Sequence, residues 1–387
     1  MVLWMPGPAS FTGEDVVELH LHGGQAVATG VLGALGEFGL RPADPGEFSR
    51  RAFERGKLDL TEAEAIADLI DADSAAQRRQ ALNQLAGATS AAVAGWRQAL
   101  IDALAALEAA IDFPDEEVPT DVSARARAPL TALHDELTAA AADLRGEKVR
   151  HGYRIALIGA PNAGKSSILN GLVGRSAAIV TEVAGTTRDV IEQPIELDGY
   201  RAVLADTAGL RETDDRIEAE GVLRARGWAE DADLRLWVVD TSARDDSWRS
   251  GADAVRQGDL LVLNKADLRP GPCLADIGAA ADSLELEPID ASATESGGLV
   301  ALRQALERRI VRDLGGGQPI AATRLRHRLL LNAAARHVER ALADSGAGPE
   351  LMAEDVRLAA RSLEALTGRV DTEVVLDAIF SEFCIGK

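Results

Sequence analysis

Aromatic residues are scarce, at 4% of 387 residues. Aliphatic side chains must therefore fill any core, and the abundance of alanine suits helices that pack closely. Cysteine is nearly absent. Cys273 and Cys384 lie far apart in no metal-ligand spacing, which excludes a disulfide framework and a thiolate zinc site and leaves unpaired thiols of a cytosolic protein as the expectation. No window approaches the apolar length of a membrane span, and no secretory pattern opens the chain. Basic charge is in deficit, 41 Lys and Arg against 62 Asp and Glu for a net charge of −21, which excludes a broad non-specific nucleic-acid surface. Two local basic clusters, Arg50, Arg51, Arg55 and Lys57, then Arg324, Arg326, His327 and Arg328, read as solvated faces.

With 47% hydrophobic residues the chain can bury two or three cores. Its most informative stretch is Gly159-Ala160-Pro161-Asn162-Ala163-Gly164-Lys165-Ser166, directly after the apolar run Tyr153-Arg154-Ile155-Ala156-Leu157-Ile158. The pattern G-x-x-x-x-G-K-[ST] between a strand and a helix curls backbone N–H groups around a phosphate. Lys165 supplies positive charge to the outer phosphates, and Ser166 supplies a hydroxyl to Mg²⁺. A helix starting near Ser166, with Ser167, completes the loop.

Three later segments narrow the ligand. Gly185-Thr186-Thr187 follows a polar stretch and offers a threonine to Mg²⁺ and the terminal phosphate. Val203-Leu204-Ala205-Asp206-Thr207-Ala208-Gly209 is an apolar run ending in an acid that supports the Mg²⁺ site, with a glycine N–H for the terminal phosphate. Leu260-Leu261-Val262-Leu263-Asn264-Lys265-Ala266-Asp267 ends in N-K-x-D. A carboxylate accepts both the ring N–H and the exocyclic amine of guanine, a pair adenine lacks, so Asp267 favours GTP over ATP. Asn264 would brace that loop, and Ser292-Ala293 reads as a further guanine-contacting turn. Motifs in this order across one domain's length point to a GTP-hydrolysing switch.

Part of the usual hydrolytic apparatus is missing. Small GTPases place a glutamine beside the Asp-x-x-Gly motif to position water; here Leu210 stands there, with no hydrogen-bonding group. Arg188 and Arg211 are candidates for an internal arginine finger, and Glu212, Asp214, Asp215, Glu218 and Glu220 are the neighbouring carboxylates. Spacing alone does not choose among them.

Around these motifs the chain changes character. Residues 1–57 are mixed, with an alternating strand over 16–22 and a helix over 26–38 that Gly39 closes. Residues 60–110 and 123–145 read as helical, with a capping box at Thr61 and Glu64, and 111–119 interrupts them. Strands and helices alternate over 152–312, Gly315-Gly316-Gly317 forms a joint, and 320–380 returns to helix. The simplest architecture is a helical bundle assembled from two separated segments, with the nucleotide domain inserted between them.

The chain resembles the MnmE (TrmE) family of tRNA-modification GTPases along essentially its whole length. The resemblance rests on Gly7-Pro8 with Ser10-Phe11-Thr12-Gly13-Glu14-Asp15, Pro45-Gly46-Glu47-Phe48, Lys57-Leu58-Asp59-Leu60, Ala67-Asp68-Leu69-Ile70-Asp71-Ala72, Ile111-Asp112-Phe113-Pro114, the GTPase motifs and the terminal Phe383-Cys384-Ile385-Gly386-Lys387. It implies a multidomain α/β and α fold. The parts are a partial N-terminal α/β folate-binding and dimerisation domain over 1–57, a helical domain over 58–150 and 315–387, and an inserted Ras-like P-loop domain with a mixed sheet over 151–314.

The resemblance also fills the gap at Leu210. It implies a K⁺ ion in place of an arginine finger, held by Asn162 and by oxygens of Thr181, Val183 and Thr186 in a loop that also contains Glu182, Ala184 and Gly185. Such a cation would offset charge developing in the transition state. Mg²⁺ falls to Ser166 and Thr187, and the catalytic glutamate to Glu218, acting through a bridging water. The implied activity is GTP hydrolysis that supports addition of an aminomethyl or carboxymethylaminomethyl group to C5 of a tRNA wobble uridine. An FAD-dependent MnmG-type flavoprotein is the partner and a reduced folate, 5,10-methylene- or 5-formyl-tetrahydrofolate, the carbon donor. Folate contacts map to Glu18, Lys57 and Lys387. Cys384 is a candidate for covalent chemistry, with packing or positioning as the alternative. Family members carry more sequence ahead of Gly7-Pro8, so a folate site and a dimer interface weakened at the N-terminus are expected. Two rivals stand beside this reading. One is a regulatory GTPase of ribosome assembly without modification activity, which would need an RNA-binding appendage; the other is an ATP-using P-loop enzyme, against which Asp267 argues.

Overall fold

The computed structural model describes residues 1–112, 122–174, 192–206, 226–316, 321–343 and 348–368, together with Ile379 and Phe383. Contacts divide the chain into two units. One comprises Met1–Ala72, Arg79–Gly146 and Pro319–Lys387; the other comprises Asp73–Arg78 and Glu147–Gln318.

The first unit opens with β1 (Val2–Met5) and β2 (Val16–Leu19), an antiparallel pair with Val2 opposite Leu19 and Met5 opposite Val16. Strand β2 stops three residues short of the predicted end. Helix α1 (Gln25–Glu37) follows, and none of its residues is buried. Trp4, Val17 and Leu32 are likewise exposed. Helices α2 (Glu47–Glu54) and α3 (Leu60–Ile70) lead into α4 (Ala75–Leu85), α5 (Ala88–Asp112), α6 (Val122–Ala142) and the short α7 (Arg145–His151). The run predicted as helical over 60–110 is thus three helices.

The capping box also lies elsewhere than predicted. Asp59, not Thr61, is the N-cap of α3: its carboxylate accepts from the Glu62 backbone N–H at 3.0 Å, and Glu62 accepts from the Asp59 N–H at 2.7 Å. Thr61 and Glu64 lie inside the helix and are buried. Aspartate caps at least as well as threonine, and Glu64 is committed to partners in the interior.

The second unit is built on a mixed sheet in the order β4-β5-β3-β6-β7-β8. Its strands are β3 (Tyr153–Ile158), β4 (Glu192–Leu197), β5 (Tyr200–Asp206), β6 (Leu234–Asp240), β7 (Leu260–Asn264) and β8 (Glu287–Ala291). Only the β4–β5 pair is antiparallel among these ladders. Buried parallel strands read as continuous apolar runs because both faces are covered; β7 does so from Leu260 to Leu263, while β3 and β6 each admit one arginine, Arg154 and Arg235. Alternate residues feed two cores. Ile155, Leu157 and Leu236 pack with Ile168 and Leu172 of α8 (Lys165–Val173) and Leu302, Leu306 and Ile310 of the final helix of this unit. Ala156, Ile158 and Trp237 pack on the opposite face with Trp228, Trp248 and, from α9 (Leu274–Ser283), Ile277. That final helix is α10 (Val300–Leu314), ended by Gly315.

The chain then returns to the first unit as α11 (Leu325–Ala343) and α12 (Pro349–Thr367). Leu100 and Leu107 of α5, Leu130 and Leu137 of α6, Leu331 and Val338 of α11, and Val356 and Leu363 of α12 share one core.

The second basic cluster is not a solvated face. His327 and Glu64 are buried, and His327 Nε2 lies 2.7 Å from Glu64 Oε2. The Thr323 backbone N–H lies 3.3 Å from His327 Nδ1, so both ring nitrogens have polar partners. Arg326 donates to both Glu64 oxygens at 3.1 Å and to the Ala365 and Leu366 carbonyls in the last turn of α12. Arg324 pairs with Asp68 at 2.7 Å. Burial alone would raise the Glu64 carboxyl, but His327, Arg326 and Arg324 hold it at about 2. The first cluster does stay at the surface, where Arg55 and Arg51 pair with Glu14 and Arg50 with Glu54.

Candidate nucleotide-binding site

The phosphate-type loop begins where β3 ends. Gly159 has φ +135°, and a Cβ there would lie 2.2 Å from the Val238 carbonyl of the neighbouring strand β6, so no side chain fits. Asn162 is left-handed at φ 63° and exposed. Ala163 is buried, and Gly164 is the left-handed N-cap of α8. Lys165 is the first residue of that helix and only 4% exposed, its ammonium donating to the Gly159 and Ala160 carbonyls at 2.7 and 2.6 Å. Burial lowers its pKa, with Asp206 partly opposing. Ser166 and Ser167 are exposed in the first turn, and the Ser166 hydroxyl donates to Asp206 Oδ2, at the end of β5, at 2.5 Å.

The base-type loop begins where β7 ends. Asn264 Nδ2 donates to the Ala163 carbonyl at 2.7 Å, so the two loops are tied directly. A Cβ on Gly164 would lie 2.1 Å from that amide nitrogen. The other amide atom, Asn264 Oδ1, is buried with no hydrogen-bond partner among the described residues. Lys265 adopts φ 60°, and its ammonium pairs with Asp240 Oδ2 at 2.5 Å. Asp267 is exposed two residues further on. Ser292, just past β8, is buried, with its backbone N–H on the Gly298 carbonyl at 3.0 Å and its hydroxyl 3.2 Å from that of Thr294; Ala293 packs against the core.

The structure therefore brings together Asn162, Ala163, Gly164, Lys165, Ser166, Asp206, Asn264 and Lys265. Thr181, Glu182, Val183, Ala184, Gly185, Thr186, Thr187, Thr207, Ala208, Gly209, Glu218, Cys384 and Lys387 lie outside the described residues, as do Arg188, Leu210 and Arg211. Of the folate residues, Glu18 sits on β2 with His20 Nε2 at 3.0 Å, while Lys57 donates to the Pro8 carbonyl at 2.8 Å. Each is held by a different neighbour. Cys273 is half-buried, its thiol donating to the Asp245 carbonyl at 3.6 Å. Sequence reasoning missed Asp240, although an acid closing the apolar run Leu234–Asp240 repeats the signal that marked Asp206.

The donor set fits a phosphate-bound hard cation. A hydroxyl and a carboxylate meet beside a buried ammonium, and Mg²⁺ takes few protein oxygens and completes its shell with phosphate and water. No group of three or more His, Cys, Asp or Glu side chains able to hold a metal occurs among the described residues, so softer or fully protein-ligated ions find no cage there. No described helix is long and apolar enough to cross a membrane.

Comparison with known proteins agrees with this geometry. Residues 60–384 match the family description "MnmE helical domain", and residues 1–57 match "GTP-binding protein TrmE N-terminus". The tRNA modification GTPase MnmE of Phenylobacterium zucineum is 56% identical over 388 residues, covering 100% of this chain and 86% of the relative. That of Caulobacter vibrioides is 56% identical, covering 100% and 87%. A solved structure of Era with MgGDPNP and a segment of 16S ribosomal RNA is 27% identical and covers 49% of this chain and 66% of that one, at a TM-score of 0.33. The family matches across the whole chain make this a GTP-hydrolysing enzyme that belongs to the MnmE family of tRNA modification GTPases.

Proposed function

We propose that this chain is a K⁺-stimulated GTPase that works with an FAD-dependent MnmG-type flavoprotein on tRNA. Together they add an aminomethyl or carboxymethylaminomethyl group to C5 of the wobble uridine, with a reduced folate as carbon donor. The tie from Asn264 to Ala163 supports the nucleotide-binding part of this reading, and the family match supports the tRNA-modification part.

In this site Lys165 and the loop N–H groups hold the phosphates, and Ser166 with Thr187 would hold Mg²⁺, whose charge stabilises the transferring group. Asp206 fixes the Ser166 hydroxyl. Asp267 reads guanine, with Asn264, Lys265, Ser292 and Ala293 shaping the base pocket. Asn162, with Thr181, Val183 and Thr186, would hold K⁺, which takes the place of an arginine finger. Glu218 orients the attacking water through a second water. Glu18, Lys57 and Lys387 contact the folate, and Cys384 takes part in the modification chemistry. The protein acts in the cytoplasm, and the family's homodimer, in which nucleotide domains pair during turnover, forms here through a weakened interface. The domain assignment 1–57, 58–150, 151–314 and 315–387 belongs to the same proposal.

The test is GTP turnover in KCl against NaCl at matched ionic strength, with the Glu218→Gln variant and wobble-uridine analysis of tRNA from a deletion strain. Strong K⁺ stimulation, loss of turnover in Glu218→Gln with GTP affinity retained, and loss of the C5 group support the reading. Equal turnover in both salts removes the K⁺ assignment, unchanged turnover in Glu218→Gln removes that residue from the mechanism, and an intact C5 group removes the modification role.

A further inference from the structure

The end of β6 supplies no group assigned to the phosphates or the base, yet it grips the base-type loop closely. Asp240 stands opposite Asn264 in the β6–β7 ladder. Its Oδ2 lies 2.5 Å from the Lys265 ammonium, while its Oδ1 accepts from the Ser242 backbone N–H at 2.9 Å and from the Ser242 hydroxyl at 2.6 Å. The Ser242 bonds fix the carboxylate so that its other oxygen faces Lys265. The next residue, Thr241, is buried; its backbone N–H donates to the Asn264 carbonyl at 3.0 Å, and its hydroxyl reaches the Asn264 and Lys265 carbonyls at 3.1 and 3.3 Å.

These contacts converge on a strained point. Lys265 carries a Cβ and yet sits at φ 60°, a conformation that such residues hold only when their surroundings impose it. The turn it makes carries the chain from buried β7 to exposed Asp267. On the far side the Ala266 N–H donates to the Ala291 carbonyl of β8 at 3.1 Å, and the Leu268 N–H to the Lys265 carbonyl at 2.9 Å. The turn is therefore pinned from both neighbouring strands.

We infer that Asp240 and Thr241 are positioning residues for guanine recognition: they hold Lys265 and the left-handed turn in the conformation that presents Asp267 to the base. The inference rests on the base-reading role proposed for Asp267. Asp240 acts through Lys265, and Thr241 acts through the two carbonyls of the turn. Because both work on the base end, GDP and GTP feel their loss equally, and the phosphate chemistry does not.

The experiment uses the full chain with fluorescent GDP and GTP analogues for affinity and steady-state hydrolysis for KM and kcat. Asp240→Asn keeps the size but places an amide donor opposite the ammonium. It is expected to weaken GDP and GTP alike by about tenfold and to raise KM by the same factor, with kcat within about twofold. In a Lys265→Met background the same substitution is expected to add little, since its target is gone. Asp240→Glu keeps the charge and restores most of the affinity. Thr241→Val weakens both nucleotides and Thr241→Ser does not, a comparison that stands even where Asp240→Asn folds poorly. Unchanged affinity in Asp240→Asn and Thr241→Val, or an Asp240→Asn loss undiminished in the Lys265→Met background, overturns the inference. Asp267→Ala run alongside separates the two failures. If it too leaves GTP affinity intact, the base-reading assignment is wrong; if it weakens GTP while the β6 variants do not, only the brace is wrong.

Discussion

The side-chain amide of Asn264 donates to the backbone carbonyl of Ala163 at 2.7 Å, across 101 residues of sequence. The bond is buried, and it fixes the distance between the loop after β7 and the loop after β3, the proposed base and phosphate loops. Gly164 lies beside it with no room for a Cβ.

Gly164→Ala tests that fit. The substitution places a methyl group 2.1 Å from Asn264 Nδ2 at a residue with φ +96°. Left-handed strain of about 1–2 kcal/mol and a broken buried hydrogen bond of about 1–3 kcal/mol both oppose binding. GTP affinity is expected to fall by about 100-fold with the far-ultraviolet circular dichroism unchanged. Wild-type affinity in a calorimetric titration would refute the tie.

Ser166→Ala removes the hydroxyl that Asp206 holds at 2.5 Å. With Ser166 in its proposed place as a Mg²⁺ ligand, the Mg²⁺ concentration for half-maximal turnover is expected to rise at least about tenfold, while GDP binding without Mg²⁺ changes little. A Mg²⁺ titration of hydrolysis measures this, and an unchanged midpoint would remove Ser166 from the metal site.

Glu64 gives the helical unit an acid-sensitive joint. Its carboxyl falls from the ordinary 4.5 to about 2 because His327, Arg326 and Arg324 outweigh the burial that would raise it. The group binds fewer protons folded than unfolded, so its stabilisation is fully present above about pH 4.5 and is lost as pH falls towards 2. Glu64→Gln leaves the Arg326 guanidinium without its counter-charge, at a cost of about 3 kcal/mol. The helical unfolding midpoint should drop at pH 7, and the gap to wild type should narrow between pH 4.5 and 3. A gap independent of pH would contradict the ion pairing.

Tyr153→Phe probes the opposite end of the sheet from the site. The phenol donates to Asp313 Oδ2 at 2.5 Å, and Arg309 pairs with the same oxygen at 2.7 Å. Removing the hydroxyl leaves the carboxylate one donor fewer, a loss of about 1–2 kcal/mol. The thermal midpoint should fall while KM and kcat for GTP stay at wild-type values. A changed KM would show that this end of the sheet is coupled to the site.

The two loops of the candidate site were legible because nucleotide chemistry would force their spacing. Gly159, Gly164, Lys165 and Ser166 must be neighbours for one loop to wrap a phosphate, and Asn264 and Asp267 must close the same strand. The interior of the helical unit was not legible. Arg324, Arg326 and His327 looked like a solvated cluster because their partners Asp68 and Glu64 are 256 to 263 residues away in sequence. The misplaced cap has the same origin: Thr61 and Glu64 carry capping-box spacing, and only the distant His327 shows why Glu64 faces inward. Asp240 escaped notice because it works through Lys265 on an adjacent strand.

The shared core of α5, α6, α11 and α12 sets an order of events during synthesis. Leu100, Leu107, Leu130 and Leu137 leave the ribosome long before Leu331, Val338, Val356 and Leu363, and every residue of the sheet is translated between the two groups. At about 5–20 residues per second, the early helices wait on the order of ten seconds or more for the partners that cover them. The nascent chain must keep those leucines from other apolar surfaces throughout that interval, and a chain that stalls after the sheet presents a finished nucleotide fold beside a half-built bundle, the form most open to chaperones and proteases.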